Sequence, residues 1–192
     1  SLVPLFTRFA EDDDEEATNA VVSVSLIVLA IATAVAVAAA PLIFQLFSLH
    51  VSPLVDPEQF RHVGTIMSRI FLIQIFFYGL TAIASALLNS RRHFFAAAWS
   101  PVLSNVITIT MLLIIPFTRD GTPGLETVLT DHTFFWLFTM SATAGVMAMG
   151  LVLIPALKRA NIALRFTPNF RHPAVRTMIK LSSWTFGYVV TN

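Results

Sequence analysis

Charged residues are missing from four long stretches of the chain, 17–55, 70–90, 94–118 and 133–157, and from a fifth that starts at Leu181. Each complete stretch reaches the roughly 20 residues that a helix rising about 1.5 Å per residue needs to cross a hydrocarbon core of about 30 Å. A lone strand in lipid leaves its backbone groups unpaired, so the stretches are predicted as helices. The pattern gives spans near 18–48, 63–90, 96–118 and 133–157, a truncated span over 177–192, and the end of a preceding helix over 1–9. The predicted fold class is all-α, a polytopic transmembrane helix bundle forming one domain over 1–192.

Links near 8–17, 50–62, 90–95, 119–132 and 158–176 join the spans, and alternate links fall on opposite faces. Counting charges near the helix ends with the adjoining link, nine of the 12 Lys and Arg residues belong to the first, third and fifth links: Arg8, Arg91, Arg92, Lys158, Arg159, Arg165, Arg171, Arg176 and Lys180. Only Arg61, Arg69 and Arg119 fall on the other side. The excess of cations places the first set in the cytoplasm, and the acidic run at 11–16 (EDDDEE) counts little toward orientation. Arg91, Arg92, Lys158, Arg159, Arg165 and Arg171 are therefore expected as topology anchors and lipid-headgroup contacts.

Composition agrees. The 192 residues are 56% hydrophobic and 12% charged, and mean hydropathy is +0.76. Soluble domains carry about twice that charged fraction. There is no Cys, which excludes disulfides and thiolate metal sites. The chain starts at Ser1 without a basic leader and ends in an apolar stretch, and is read as an internal piece of a larger membrane protein. The positives are too few and too membrane-bound for a nucleic-acid surface.

Polar residues within spans are expensive and usually face protein or water. Arg69 would cost roughly 2.5–3.5 kcal/mol at the midplane, so a position near a helix end, with the side chain reaching for the interface, is expected. Gln74 and Tyr78, four residues apart, share a helix face. Arg69, Gln74 and Tyr78 are the candidate cavity-lining residues. Asn89 and Asn105 flank the basic turn and are candidates for a hydrogen bond across the hairpin. Ala30, Ala34 and Ala38, and later Ser141 and Gly145, offer small residues four apart for close helix packing. Pro41, Pro101, Pro116 and Pro155 are candidate kinks.

The five His residues (50, 62, 93, 132 and 172) fall at helix ends or links, and none pairs at a spacing of four. Asp12–Asp14 is the one carboxylate cluster, read as a solvated loop, so no metal and no cofactor is expected. No phosphate-binding glycine loop or nucleophile elbow occurs. Segment 158–176 is basic, carries Ile162, Leu164, Phe166 and Phe170, and is broken by Pro168 and Pro173. It either lies flat at the interface or links two helical halves.

The stretch QIFFYGLTAIASALLNSRRHFFAAAWSPVLSN, residues 74–105, resembles the fourth and fifth helices of the MurJ/MviN lipid II flippases, especially actinobacterial ones. The matching elements are Gln74 to Gly79, Leu88-Asn89 before the basic turn, Phe94, Trp99, Pro101-Val102-Leu103 and Asn105. LVPLFTRF is similar to the end of that family's second helix, IPALKRANI to the exit of its sixth, and SSWTFGYVVTN to the start of its seventh. The resemblance covers essentially the whole chain. The chain departs from the family at Ile73 and Ala97, where Pro is usual or common, and at Met149, where Gln is usual.

The resemblance implies part of the N-terminal lobe of a two-lobe fold of fourteen helices in a bacterial inner membrane. It implies a flippase rather than an enzyme, carrying lipid II from the cytoplasmic to the outer leaflet by alternating access. Its partners would be lipid II, membrane lipids and cell-wall synthesis proteins. The family's essential arginines and aspartate lie mainly on helices outside this chain, which would supply one cavity wall.

Other readings follow from the same residues. A drug, cation or polysaccharide exporter of the same superfamily would need intramembrane acids to couple ions. A membrane enzyme acting on a prenyl lipid would need partners for Asp12–Asp14. A membrane scaffold would recruit partners through the basic 158–176 segment.

Overall fold

The computed structural model describes residues 2–48, 56–118, 121 and 124–191. His50 and Arg119, named above, lie outside them. The described residues form eight helices: α1 (Val3–Glu11), α2 (Glu15–Phe47), α3 (Pro57–Ser90), α4 (Phe94–Thr118), α5 (Leu125–Thr130), α6 (His132–Leu151), α7 (Leu153–Arg159) and α8 (Pro173–Thr191). Helices α2, α3, α4 and the α6–α7 pair are each long and apolar enough to cross a membrane. The molecule is an all-α, multi-pass membrane bundle.

Local chemistry sets the helix starts. Asp14 accepts from the Ala17 amide at 2.8 Å, Asp56 from the Glu58 amide at 3.1 Å and Asp131 from the Phe134 amide at 3.0 Å. Each carboxylate caps α2, α3 or α6 and faces the positive end of the helix dipole. The acidic run at 11–16 is thus a junction between two helices: Asp12 closes α1, Asp14 caps α2, and Glu15 and Glu16 fill its first turn. Pro57 opens α3 one residue after its cap, so the helix begins six residues before the expected span.

Of the four prolines expected as kinks, one coincides with a break in its helix. Pro41, Pro101 and Pro116 lie inside continuous α2 and α4. Pro155 lies four residues past Leu151, where α6 gives way to α7. Its ring crowds that carbonyl and it offers no N–H in return.

Helix α3 is the hub. It packs against α2 on one side and α6 on another, touches α1, α4 and α7, and leaves α4 to pack chiefly on α6. At 34 residues it is about 51 Å long, so it projects beyond a hydrocarbon core of about 30 Å. Gln59 Nε2 at its start donates to the Leu129 carbonyl of α5 at 3.0 Å and ties the projecting turns to the link before α6.

The core is concentrated at the end where the basic links gather, called here the basic end. One buried cluster joins Phe6 and Phe9 of α1, Val21 and Val24 of α2, Leu87 and Leu88 of α3, and Leu153, Val175 and Met178 of α7 and α8. Three helices close there with the same turn. Asp14, His93 and Ile162 amides donate back to Phe9, Leu88 and Leu157 carbonyls at 2.9, 2.8 and 3.0 Å. The residue before each is left-handed: Asp13, Arg92 and Asn161, with φ of 52°, 61° and 56°. Glycine usually holds that position.

The close approaches differ from the expected ones. Ala30, Ala34 and Ala38 are exposed, so they do not form a contact stripe. The small residues that matter on the α2–α3 face belong to α3: a Cβ at Gly64 would fall on the Phe44 ring, and one at Gly79 on Leu29. Large side chains of α2 enter notches on α3, and Ala30, Ala34 and Ala38 turn outward while Ala17, Ala20 and Ala40 are buried. On the α4–α6 face a Cβ at Gly145 would lie 2.7 Å from the Ser104 carbonyl and 2.6 Å from Thr108 Oγ1. Buried Ser141 accepts from Thr108 through its carbonyl at 3.2 Å.

Candidate functional site

Helix α3 places the three candidate cavity residues at different depths. Counted back from Ser90 beside the basic turn, Tyr78 lies about 18 Å in, Gln74 about 24 Å and Arg69 about 32 Å. Arg69 therefore sits about one core thickness from the basic end. It is exposed. Five residues separate it from Gln74, which turns it about 140° around the helix. Arg69 and Gln74 thus face different sides. Arg69 instead shares a face with Leu87, five turns on, and Leu87 is buried in the cluster with α1.

Gln74 is committed to packing. Its Nε2 donates to Thr143 Oγ1 at 2.8 Å, linking α3 to α6. Tyr78, one turn later, is 54% exposed and is free to present its hydroxyl away from the bundle. Around Gln74 runs a seam of small polar groups. Thr139, Ser141 and Thr143 of α6 are buried, Thr108 joins α4 to α6, and the Thr139 hydroxyl has no partner among the described residues.

The expected bond between Asn89 and Asn105 is not formed. Asn89 lies one residue from the end of α3, while Asn105 lies about 17 Å along α4 from Phe94, level with Tyr78 rather than with Asn89. Antiparallel register across a short turn keeps the two apart. Asn105 is exposed on α4 at mid-depth.

The cationic anchors gather at the basic end. Arg91, Arg92, Lys158, Arg159, Arg165 and Arg171 are all exposed. The one ion pair among the described residues is Arg8 with Asp12, at 3.7 Å and solvent-exposed, so none of the six is neutralised by a carboxylate. No group of three or more His, Asp or Glu is placed to hold a metal ion among the described residues.

Segment 161–172 forms an irregular strap across the start of α2. Asn19 Oδ1 accepts from the Arg165 amide at 2.9 Å, and Ser23 Oγ accepts from the Thr167 amide at 2.9 Å. These bonds span 146 and 144 residues of chain. Ile162 is buried at the strap's start, while Phe166 and Phe170 are 66% and 54% exposed beside Arg165 and Arg171. Asn19 and Ser23 are two of several polar residues in this span, and nothing local to them names the strap as partner.

Comparison with known proteins fits this architecture. The chain is 29% identical to the lipid II flippase MurJ of Burkholderia cenocepacia over 99% of its own length and 36% of the relative's. It is 29% identical to a probable lipid II flippase MurJ of Rhizobium tropici over 89% of its length and 32% of that protein. The chain thus spans about a third of the length of the curated relatives it matches. The family model described as lipid II flippase MurJ matches residues 1–192 without remainder, and the chain belongs to that family.

Proposed function

We propose that the whole protein is a lipid II flippase of the bacterial inner membrane. It carries the undecaprenyl-pyrophosphate-linked peptidoglycan precursor from the cytoplasmic to the outer leaflet by alternating access, with no covalent step and no cofactor. The observation that carries this reading is the family match over every residue of a bundle with four membrane-length helices.

The physical problem is a pyrophosphate headgroup that hydrocarbon rejects and a tail that it accepts. A polar, cationic cavity open to lipid along one side solves both at once. In this reading the chain supplies one wall of that cavity. Tyr78 offers its hydroxyl at mid-depth and Gln74 stiffens the wall through Thr143, while Arg69, half a turn around α3 from Tyr78, faces away from that wall. The tight core at the basic end holds the helices together as one body, which suits rocking of a lobe as a unit. The basic end faces the cytoplasm, because nine of the chain's 12 Lys and Arg residues belong there. Lipid II, surrounding lipids and cell-wall synthesis proteins are the partners.

The test is depletion of the full-length protein in its host, with lipid II measured on the outer membrane face and in total. The expected result is less exposed lipid II and more in total. Unchanged exposure would sink the proposal and leave the fold without this substrate.

A further inference from the structure

A groove opens at the basic end between the start of α4 and α7. Its head is a cavity of ≈ 550 Å³ lined by Arg92, His93 and Arg159, with Leu88 and Ala160 at its floor. A second cavity of ≈ 530 Å³ continues from it and shares Phe95, Ala96, Ala156 and Arg159. That part is apolar, walled by Trp99, Val102, Val106 and Pro155. From Phe94 to Val106 the groove follows α4 for about 18 Å, close to half of a hydrocarbon core of about 30 Å.

We infer that this groove holds an anionic glycerophospholipid of the adjoining leaflet, with its phosphodiester between Arg92 and Arg159 and an acyl chain along Trp99 and Val106. Three observations carry it. The head of the groove has two guanidiniums and no carboxylate in its lining, and neither arginine has an ion-pair partner among the described residues. Guanidinium groups bind phosphate oxygens through paired N–H donors. The apolar part starts where the cations end and runs one leaflet deep. Phe95 and Trp99 stand 5.8 Å apart, 75% and 55% exposed, as a wall with no protein against it among the described residues.

Arg92 holds the left-handed position of its turn at φ 61°, as Asp13 and Asn161 do in theirs, so glycine fits there without a Cβ clash. The headgroup follows from the charges: a lipid without a compensating headgroup cation fits two unpaired arginines, and a zwitterionic lipid leaves its ammonium facing them. The depth of the groove matches a glycerophospholipid chain within one leaflet. The inference does not depend on what the whole protein carries.

The test uses the full-length protein in phosphatidylcholine vesicles containing brominated phosphatidylglycerol, with brominated phosphatidylcholine as the comparison. Bromine on the acyl chain quenches a tryptophan that it touches, and the signal of Trp99 is the part lost in Trp99→Phe. The expected relative binding constant favours phosphatidylglycerol by about 25-fold, at about fivefold for each of the two cations. Arg92→Gly, which suits the left-handed backbone, and Arg159→Gln should each lower it about fivefold and together bring it near one. Lys158→Gln removes a charge from the same helix turn outside the groove and should leave it unchanged. Equal quenching by both lipids, or an equal loss in Lys158→Gln, would mean ordinary boundary lipid or diffuse charge and would overturn the site. No quenching by either lipid would mean a protein-covered face and would overturn it too. So would stronger relief of quenching by undecaprenyl phosphate than by unlabelled phosphatidylglycerol, which would assign the groove to a polyprenyl lipid.

Discussion

The Gln74 amide donates to the Thr143 hydroxyl at 2.8 Å and joins α3 to α6 deep within the bundle. Thr143 is 2% exposed, so no water stands ready to replace Gln74. Gln74→Leu is expected to destabilise the protein by about 1 kcal/mol, the range found for hydrogen bonds between membrane helices. A double-mutant cycle with Thr143→Val, followed by unfolding in mild detergent, isolates the pair. A coupling energy near zero would show that the bond contributes nothing.

Gly145 lets α4 and α6 approach to the point where a methyl group meets backbone. The Ser104 carbonyl would lie 2.7 Å from a new Cβ, and a carbonyl in a helix cannot rotate away. Gly145→Ala is expected to cost about 1–3 kcal/mol, the usual range for overpacking. Gly124→Ala is the control, since nothing lies within 4 Å of its added carbon. Thermal melts of the two variants should separate clearly, with only the first lowered by several degrees.

The left-handed residues at the basic end store a small strain that can be released. Asp13→Gly should stabilise the α1–α2 junction by a few tenths to about 1 kcal/mol, because glycine takes φ of 52° without a Cβ clash. Detergent unfolding midpoints give the sign. A lower midpoint would mean that the Asp13 side chain contributes more than its backbone costs.

Asn19 and Ser23 hold the strap on α2, and each bond is worth about 1 kcal/mol net. Asn19→Ala should therefore speed hydrogen exchange at the Arg165 amide about fivefold, and Ser23→Ala should do the same at Thr167. The amide of Met178, a buried residue of α8, should be unaffected by either. Equal acceleration at all three would show general unfolding rather than release of the strap.

The depth of Arg69 can be read by labelling. The chain has no Cys, so single cysteines at positions 69 and 91 report without background from this chain. In sealed cells an impermeant maleimide added outside should label Arg69→Cys and leave Arg91→Cys unlabelled until the cells are opened. The reverse pattern would invert the proposed topology.

The four long spans were legible in the sequence, though not every end: α3 starts six residues before its expected span, and α5 lies within an expected link. Bilayer thickness and the need to satisfy every backbone group act on each segment separately, so uncharged length alone marks a span. The clustering of cations at one end, and the caps at Asp14, Asp56 and Asp131, are equally local. Local chemistry also marked Pro155, although it could not say that Pro41, Pro101 and Pro116 would pass through unbroken helices.

Which faces meet was settled by packing in three dimensions. A membrane span is apolar nearly all round, so no polar face tells which side turns inward. That is why Ala30, Ala34 and Ala38 face outward while Gly64 and Gly79 receive Phe44 and Leu29. The same lack of a marked face hid the bond of Gln74 to Thr143, whereas Asn89 and Asn105 were kept apart by depth, set by the antiparallel register of α3 and α4. The strap clamp and the groove beside Arg92 and Arg159 join residues far apart in the chain. Such pairings follow from helix register and packing, which no single segment encodes.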